Sequence, residues 1–196
     1  MCYYMIEPSR QHDNMNAATK EAFLAHYEPL HERFARFCAS QAFGLMTAED
    51  LMQEAVLAAL QGFERLRDKT KLLGYLIGTV NNIVRNQRRR SRFTGNWDEK
   101  LAAELEDRLP DPATLLDVQY LLKALGQLPE ALRETLILFE VSGFTVREIA
   151  EIQQTSEGAV KTRLSRTRQT LREMLAEDGR PMPLSKRLAI YTSILL

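Results

Sequence analysis

The stretch LPEALRETLILFEVSGFTVREIAEIQQTSEGAVKTRLSRTRQTLR, residues 128–172, reads as three helices with short joints. Pro129 suits a first helical turn, where its missing N–H is not needed. Leu132, Leu136 and Phe139 repeat at helical spacing until Ser142-Gly143 stops the pattern. Thr145 opens the next helix with Glu148 three residues on, the spacing of a capping box in which each side chain satisfies an orphan N–H. Val146, Ile149 and Ala150 form its inner face, and Gln153, Gln154 and Thr155 turn the chain. Thr155 or Ser156 caps a third helix, whose apolar Val160, Leu164, Leu171 and Leu175 fall on one side.

A short helix, a tight turn and a following helix rich in Lys and Arg make a helix-turn-helix. The outward positions of the last helix carry Lys161, Thr162, Arg163, Ser165, Arg166 and Arg168, and no acid interrupts the run from Lys161 to Arg172. Small polar residues at such a helix start can reach base edges in the major groove, while arginines further along hold phosphates. A solvated basic face is the plain alternative. The order of cap, turn and basic run argues against it.

Across the 196 residues, 26 Lys and Arg balance 26 Asp and Glu, so the formal net charge is zero. Whole-chain charge therefore announces no nucleic-acid partner; its distribution does. Arg85, Arg88, Arg89, Arg90 and Arg92 form one basic block and Lys161 to Arg172 another. Between them Asp98, Glu99, Glu104, Glu106, Asp107, Asp111 and Asp117 form an acidic connector, across which Pro110 and Pro112 should stop helix propagation. Cys2 and Cys38 are the only cysteines, which fits a reducing compartment and no disulfide framework. No signal-peptide pattern opens the chain, and the apolar piece Leu188 to Leu196 is too short to span a bilayer. A cytoplasmic protein without membrane insertion is expected.

Residues 1–15 read as a flexible N-terminus. A helix then runs through Phe23, Leu24, Tyr27, Leu30, Phe34 and Phe37, kinked or restarted at Pro29 and ended by Gly44. Thr47 caps another helix, with Asp50 as an Asp variant of the capping box. Met52, Ala55, Val56, Ala59, Leu60 and Phe63 should face inward, and Asp50, Gln53, Glu54 and Leu57 outward. Residues 62–73 read as a loop, and a helix follows from Gly74 to about Arg90 with Leu76, Val80, Ile83 and Val84 inside. Tyr75, Thr79, Asn82 and Asn86 stack along one outward stripe leading into the arginines and toward Phe93 and Trp97. Aromatic, amide and guanidinium groups together can stack on and hydrogen-bond unpaired bases while neutralising phosphate. Ser185 to Leu196 could pack back on a domain or meet a partner.

With these pieces in place, the chain resembles bacterial RNA polymerase sigma factors of the sigma-70 family, in the two-domain extracytoplasmic-function form. Ala48-Glu-Asp-Leu-Met-Gln-Glu-Ala looks like the family's polymerase-binding helix, and Tyr75-Leu-Ile-Gly-Thr-Val-Asn-Asn-Ile-Val-Arg-Asn its −10 reading helix. Leu128 through Arg172 looks like its −35 reader, and the likeness covers roughly residues 16–176. The family usually has Trp at Tyr75, Ile-Ala at Thr79-Val80, Asp at Asn86 and Thr at Ala159, departures that touch promoter preference more than the general role.

The resemblance implies an all-α fold of two small helical domains, a sigma-2-like bundle at 16–95 and a sigma-4-like helix-turn-helix at 119–178. An acidic linker at 96–118 joins them, and 179–196 is a C-terminal tail. It implies core RNA polymerase and promoter DNA as partners, with an anti-sigma factor as a further candidate. Asp50, Gln53, Glu54 and Leu57 would contact core polymerase. Tyr75, Thr79, Asn82, Arg85, Asn86, Arg88 and Arg89 would engage the −10 element. Ser156, Glu157, Ala159, Lys161, Thr162, Arg163, Ser165, Arg166 and Arg168 would read the −35 element. No catalytic residue, metal site or cofactor is expected: His12, His26 and His31 stand without a nucleophile or ligand set, and Asp50 and Glu54 lack a third carboxylate. A stand-alone helix-turn-helix regulator, or a sigma mimic that titrates an anti-sigma factor, stays open as the alternative.

Overall fold

The computed structural model describes residues 17–91, 105–109, 111–176 and 182–195, and among these the regular structure is helical throughout. The expected flexible N-terminus, Arg92, Phe93, Trp97 and most of the acidic connector lie outside the described residues.

The N-terminal lobe is built from α1 (Ala17–Tyr27), α2 (His31–Ala42), α3 (Ala48–Gly62) and α4 (Leu72–Ser91). Pro29 sits in a 3-10 turn, Glu28–Leu30, that restarts the helix between α1 and α2. Phe23, Phe34, Phe37, Leu51, Phe63, Leu72, Leu76 and Val80 are buried together, and Phe23 meets Phe63 edge-on at 5.4 Å. Each such side chain contributes about 1.5–3 kcal/mol on burial. Cys38 lies in this core, and burial pushes its thiol up to about 12, so it is an unreactive packing residue.

Local chemistry sets the joints. Gly44 adopts φ 73°, the left-handed conformation that ends α2. The Thr47 hydroxyl accepts from Asp50 N–H at 3.1 Å, so the Thr half of the expected cap is made. Residues expected as a loop contain two short 3-10 turns, Phe63–Arg65 and Lys69–Lys71. The Lys69 ammonium ties them down, donating to the carbonyls of Phe63 and Leu66 and resting 4.4 Å from the centre of the Phe63 ring. This anchoring lets α4 begin at Leu72, before Gly74.

Two expectations for this lobe shift. In α3 the fully buried line is Leu51, Ala55, Ala59 and Phe63, whereas Met52, Val56 and Leu60 are half-buried at its edge. In α4, Leu72, Leu73 and Ile77 join Leu76, Val80 and Val84 in the core, and Ile83 is half-buried.

The C-terminal lobe comprises α5 (Pro112–Gln127), α6 (Glu130–Leu136), α7 (Val146–Ile152), α8 (Glu157–Ala176) and α9 (Leu184–Ile194). Pro112 starts a helix rather than blocking one: Asp111 caps α5 by accepting from Thr114 N–H at 2.9 Å, and Pro112 occupies its first turn. A helix therefore begins at Pro112, inside the stretch expected as linker. Asp117, expected among the connector's acids, is instead buried inside α5 and ion-paired to the fully buried Arg187 of α9 at 3.1 Å.

α6 runs into a wider π turn, Ile137–Val141, closed by Ser142 N–H to Ile137 O at 3.0 Å. Gly143 at φ 74° then turns Phe144 into the core. Thr145 and Glu148 form the full capping box of α7. Gln154 takes the left-handed φ of 49° in the turn, and Ser156 caps α8 by accepting from Ala159 N–H at 3.2 Å.

The tail left open by the sequence is settled as α9. It packs on α5, α8 and the π turn, and also reaches the other lobe. Tyr191 meets Phe43 edge-on at 6.2 Å and donates to Ser40 O at 3.4 Å. The lobes touch elsewhere too, with α2 against the π turn and α4 against α7. Among the described residues no helix is long and apolar enough to cross a membrane.

Candidate nucleic-acid and polymerase interfaces

α8 is a 20-residue helix, about 30 Å long. Val160, Leu164, Thr167, Leu171 and Leu175 bury one face against α5, α6 and α7. The rotation of 100° per residue then forces Glu157, Lys161, Thr162, Ser165 and Arg166 outward, and all of them are exposed, as is the cap Ser156. Ala159 is half-buried beside them.

Arg163 and Arg168 sit differently from the sequence expectation of outward cations. Both are half-buried. Arg163 Nη1 donates to Gln153 Oε1 at 2.9 Å, and Thr135 Oγ1 meets the same oxygen at 2.9 Å. Arg168 donates through Nε and Nη2 to Glu140 Oε1, at 2.8 and 2.6 Å, with its guanidinium 5.3 Å from the Phe139 ring centre. The cations fully presented to solvent on this helix are Lys161, Arg166 and Arg172.

On α4, Asn82, Arg85, Asn86 and Arg89 are exposed and Arg88 is half-buried. Tyr75 is 39 % exposed but lies against α3, where its hydroxyl occupies the space that a Cβ on Gly62 would need. No local pattern marks Gly62 for this contact, because Tyr75 lies 13 positions further on. Thr79 is half-buried, its hydroxyl donating to Tyr75 O at 2.9 Å, so its outward stripe position is partly closed.

Arg85, Asn86, Arg88 and Arg89 line one wall of a cleft of about 450 Å³. Glu130, Arg133 and Glu134 of α6 line the opposite wall, and Arg85 Nη2 is 3.8 Å from Glu130 Oε1. Burial raises the Glu134 carboxyl above its ordinary value, although hydrogen bonds from Gln153 and Asn81 oppose the shift.

On α3, Asp50, Gln53, Glu54 and Leu57 are all exposed, Leu57 at 51 %, an apolar side chain one turn after Gln53 and Glu54. His26 and His31 are engaged locally, with the Ala22 carbonyl and the Tyr27 hydroxyl. Among the described residues no group of three His, Cys, Asp or Glu is placed to hold a metal.

Comparison with known proteins agrees with these two units. Residues 23–94 match the family model for Sigma-70 region 2, and residues 118–171 match that for Sigma-70, region 4. The extracytoplasmic-function (ECF) sigma factor EcfG of Rhodopseudomonas palustris is 32 % identical over 133 residues, covering 67 % of this chain and 73 % of the relative. The sigma factor CarQ of Myxococcus xanthus is 28 % identical over 169 residues, covering 86 % of this chain and 95 % of the relative. A co-crystal structure of the sigma factor RpoE with the anti-sigma factor NepR from Bartonella quintana is 26 % identical in sequence, with a TM-score of 0.48. It covers 81 % of this chain and 97 % of that one. A helical lobe carrying an arginine-rich helix, a second lobe carrying a helix-turn-helix, and relatives matched across both place the chain among the ECF sigma factors of the sigma-70 family, subunits that direct core RNA polymerase to promoters and initiate transcription.

Proposed function

We propose that the outward face of α8, headed by Ser156 and Glu157 and carrying Lys161, Thr162, Ser165 and Arg166, reads the −35 element in the major groove. The exposure of these residues on a helix whose opposite face is buried carries this reading. Polar groups near the helix start reach base edges, and Lys161 and Arg166 neutralise phosphates. Ala159, Arg163 and Arg168 contribute from the half-buried flank. Arg163 and Arg168 reach DNA by exchanging their Gln153 and Glu140 partners for phosphate or base acceptors.

The −10 element is assigned to α4 through Tyr75, Thr79, Asn82, Arg85, Asn86, Arg88 and Arg89, with a non-template base flipped out of the stack. Extrusion costs a few kcal/mol, offset by stacking and hydrogen bonds. No bond is made or broken by this chain; it positions DNA for the polymerase, a non-enzymatic role in the cytoplasm. Core polymerase docks on Asp50, Gln53, Glu54 and Leu57 of α3, where Leu57 supplies apolar contact and the acceptors meet a basic rim. The domains are a sigma-2-like lobe at 16–95 and a sigma-4-like helix-turn-helix lobe at 119–178, joined by a linker at 96–118 and followed by a tail at 179–196, a division that the region 2 match at 23–94 and the region 4 match at 118–171 support. An anti-sigma factor is a further proposed partner, to be sought by co-purification.

Two double variants separate the assignments. Lys161→Ala with Arg166→Ala is expected to cut transcription from −35-dependent promoters at least tenfold and leave core binding unchanged. Asp50→Ala with Glu54→Ala is expected to weaken core binding. The reverse pattern would overturn both assignments.

A further inference from the structure

The corner between α3 and α4, residues 63–71, carries few apolar anchors. Phe63 is buried and Leu66 half-buried, whereas Glu64, Arg65, Arg67, Asp68, Thr70 and Lys71 are exposed. So little apolar burial does not by itself hold a stretch of backbone in one conformation. Polar ties hold it instead. The Lys69 ammonium donates to the carbonyls of Phe63, of Glu64 at 3.4 Å and of Leu66 at 2.8 Å, and it lies 4.4 Å from the centre of the Phe63 ring. An ammonium has three donors, and these bonds use them all. The carbonyls follow directly on the C-terminus of α3, where carbonyls lack intrahelical partners and the helix dipole favours a cation. Asp68 accepts from Thr70 N–H at 3.0 Å, and the Thr19 hydroxyl of α1 donates to Glu64 Oε1 at 2.6 Å.

The result is an uneven display of charge. Both acids of the corner are engaged, Glu64 with Thr19, and Asp68 with Thr70 beside Lys71. Arg65, Arg67 and Lys71 are exposed. α4 starts at Leu72, and Tyr75 in its first turn packs against Gly62 at the end of α3. The three exposed cations therefore stand at the N-terminal end of α4, whose C-terminal part carries Arg85 and Arg89. The helix has 20 residues and is about 30 Å long, so cations bound Tyr75, Asn82 and Asn86 at both ends. A strand laid along such a helix has its bases met by aromatic and amide groups and its phosphates met at either end.

We propose that Lys69 is a positioning residue for −10 recognition: it fixes the corner from which Arg65, Arg67 and Lys71 hold phosphates of the opened promoter strand. The inference rests on the reading of α4 as the −10 helix. Lys69 itself touches no DNA, because its donors are taken up by the protein's own carbonyls. Without them those carbonyls turn to water and the corner samples many conformations. Ordering it again on the strand then costs conformational entropy. Lys69 lies outside the α3 face from Asp50 to Leu57 and outside α8, so it can be altered without touching either.

Hydrogen exchange of the full chain and permanganate footprinting of promoter complexes with core polymerase test this together. Lys69→Met keeps the apolar stem and removes the donors. Its amides at 64–71 are expected to exchange at least about tenfold faster than those of wild type. Permanganate-reactive thymines at the −10 element should fall at least about fivefold, with core binding and −35 duplex binding unchanged. Lys69→Arg, which keeps the cation and its donors, should restore both protection and opening. Arg65→Ala with Arg67→Ala and Lys71→Ala should leave the corner protected. It should reduce the salt slope of polymerase-bound protein on a pre-opened promoter by about 2, at about 0.7 for each single-strand phosphate. Unchanged exchange in Lys69→Met, or faster exchange with undiminished opening, would overturn the role of Lys69. An unchanged salt slope in the triple variant would overturn the phosphate contacts, and that variant keeps Lys69, so it decides even where Lys69→Met folds poorly. Asn82→Ala with Arg89→Ala keeps the outcomes apart. Opening retained by this pair refutes the −10 reading of α4 itself, whereas opening lost here but intact in Lys69→Met refutes the corner alone.

Discussion

Glu148 joins two levels of the structure in one carboxylate. Its Oε2 accepts from Thr145 N–H and Thr145 Oγ1, both at 2.8 Å, while Oε1 accepts from Arg33 at 2.7 Å. Burial acts to raise its pKa, but the Thr145 bonds and Arg33 outweigh this, and the carboxyl lies below its ordinary 4.5. A depressed folded-state value means this group's stabilisation is present above the unfolded value of 4.5 and is lost as pH falls through the lower folded value. Glu134 is opposite in sign: with its value raised by burial, its relative stabilisation is present below 4.5 and lost as pH rises through the raised value. Thermal melts across pH should therefore show the deficit of Glu148→Gln largest at neutral pH and shrinking below 4.5. Glu134→Gln should gain on wild type as pH rises above that point.

Gln153 is the other residue whose importance only the structure exposes. It lies in the turn between α7 and α8 and links Thr135 to Arg163. Gln153→Ala is expected to lower −35-dependent transcription about fivefold, the equivalent of one hydrogen bond of about 1 kcal/mol. Gln153→Glu keeps the acceptor for Arg163 but sets a second carboxylate against Glu134, so it should restore little of it, and promoters recognised through −10 alone should be unaffected. The sequence marks Gln153 only as a turn residue, because its partners lie 18 positions before it and 10 after.

At the level of elements, what could be read from the sequence is what is decided locally. The Thr145 to Glu148 box, the Gly143 stop and the buried line of α8 each follow from residues within a turn or two, and the structure contains them all. Thr145→Ala removes the side-chain acceptor of the box and should destabilise the C-terminal lobe by about 1 kcal/mol in denaturant titration. α3 was less legible because Leu51 and Met52 are both apolar and adjacent. A 100° step separates them, and only the packing of α2 and α4 selects Leu51. Pro112 departs from the expectation because proline blocks a helix interior but favours its first turn, and Asp111 before it supplies the cap. Asp117 looked like one more connector acid. Its partner Arg187 lies seventy positions away, beyond the reach of any local pattern.

For the whole molecule, a chain of zero net charge carries two basic surfaces, each met by an acid at one flank, Arg168 by Glu140 and Arg85 by Glu130. Contacts such as Arg33 to Glu148, 115 residues apart, are invisible to periodicity, and so was the closed arrangement of the lobes. On the proposed assignment each basic surface alone would neutralise only a few phosphates, and non-specific binding of that kind is typically about 10⁻⁴ to 10⁻⁶ M at physiological salt. Docking on polymerase would then fix the spacing of both proposed readers and raise their effective concentration at the promoter.

The most direct measurement is transcription by purified core polymerase on fragmented genomic DNA, with and without this protein, followed by mapping of transcript starts. The account predicts a discrete set of starts that appears only with the protein, preceded by shared −35 and −10 sequences, and diminished by Lys161→Ala with Arg166→Ala. Starts that do not depend on the protein, or that share no upstream sequence at the two positions, would contradict it.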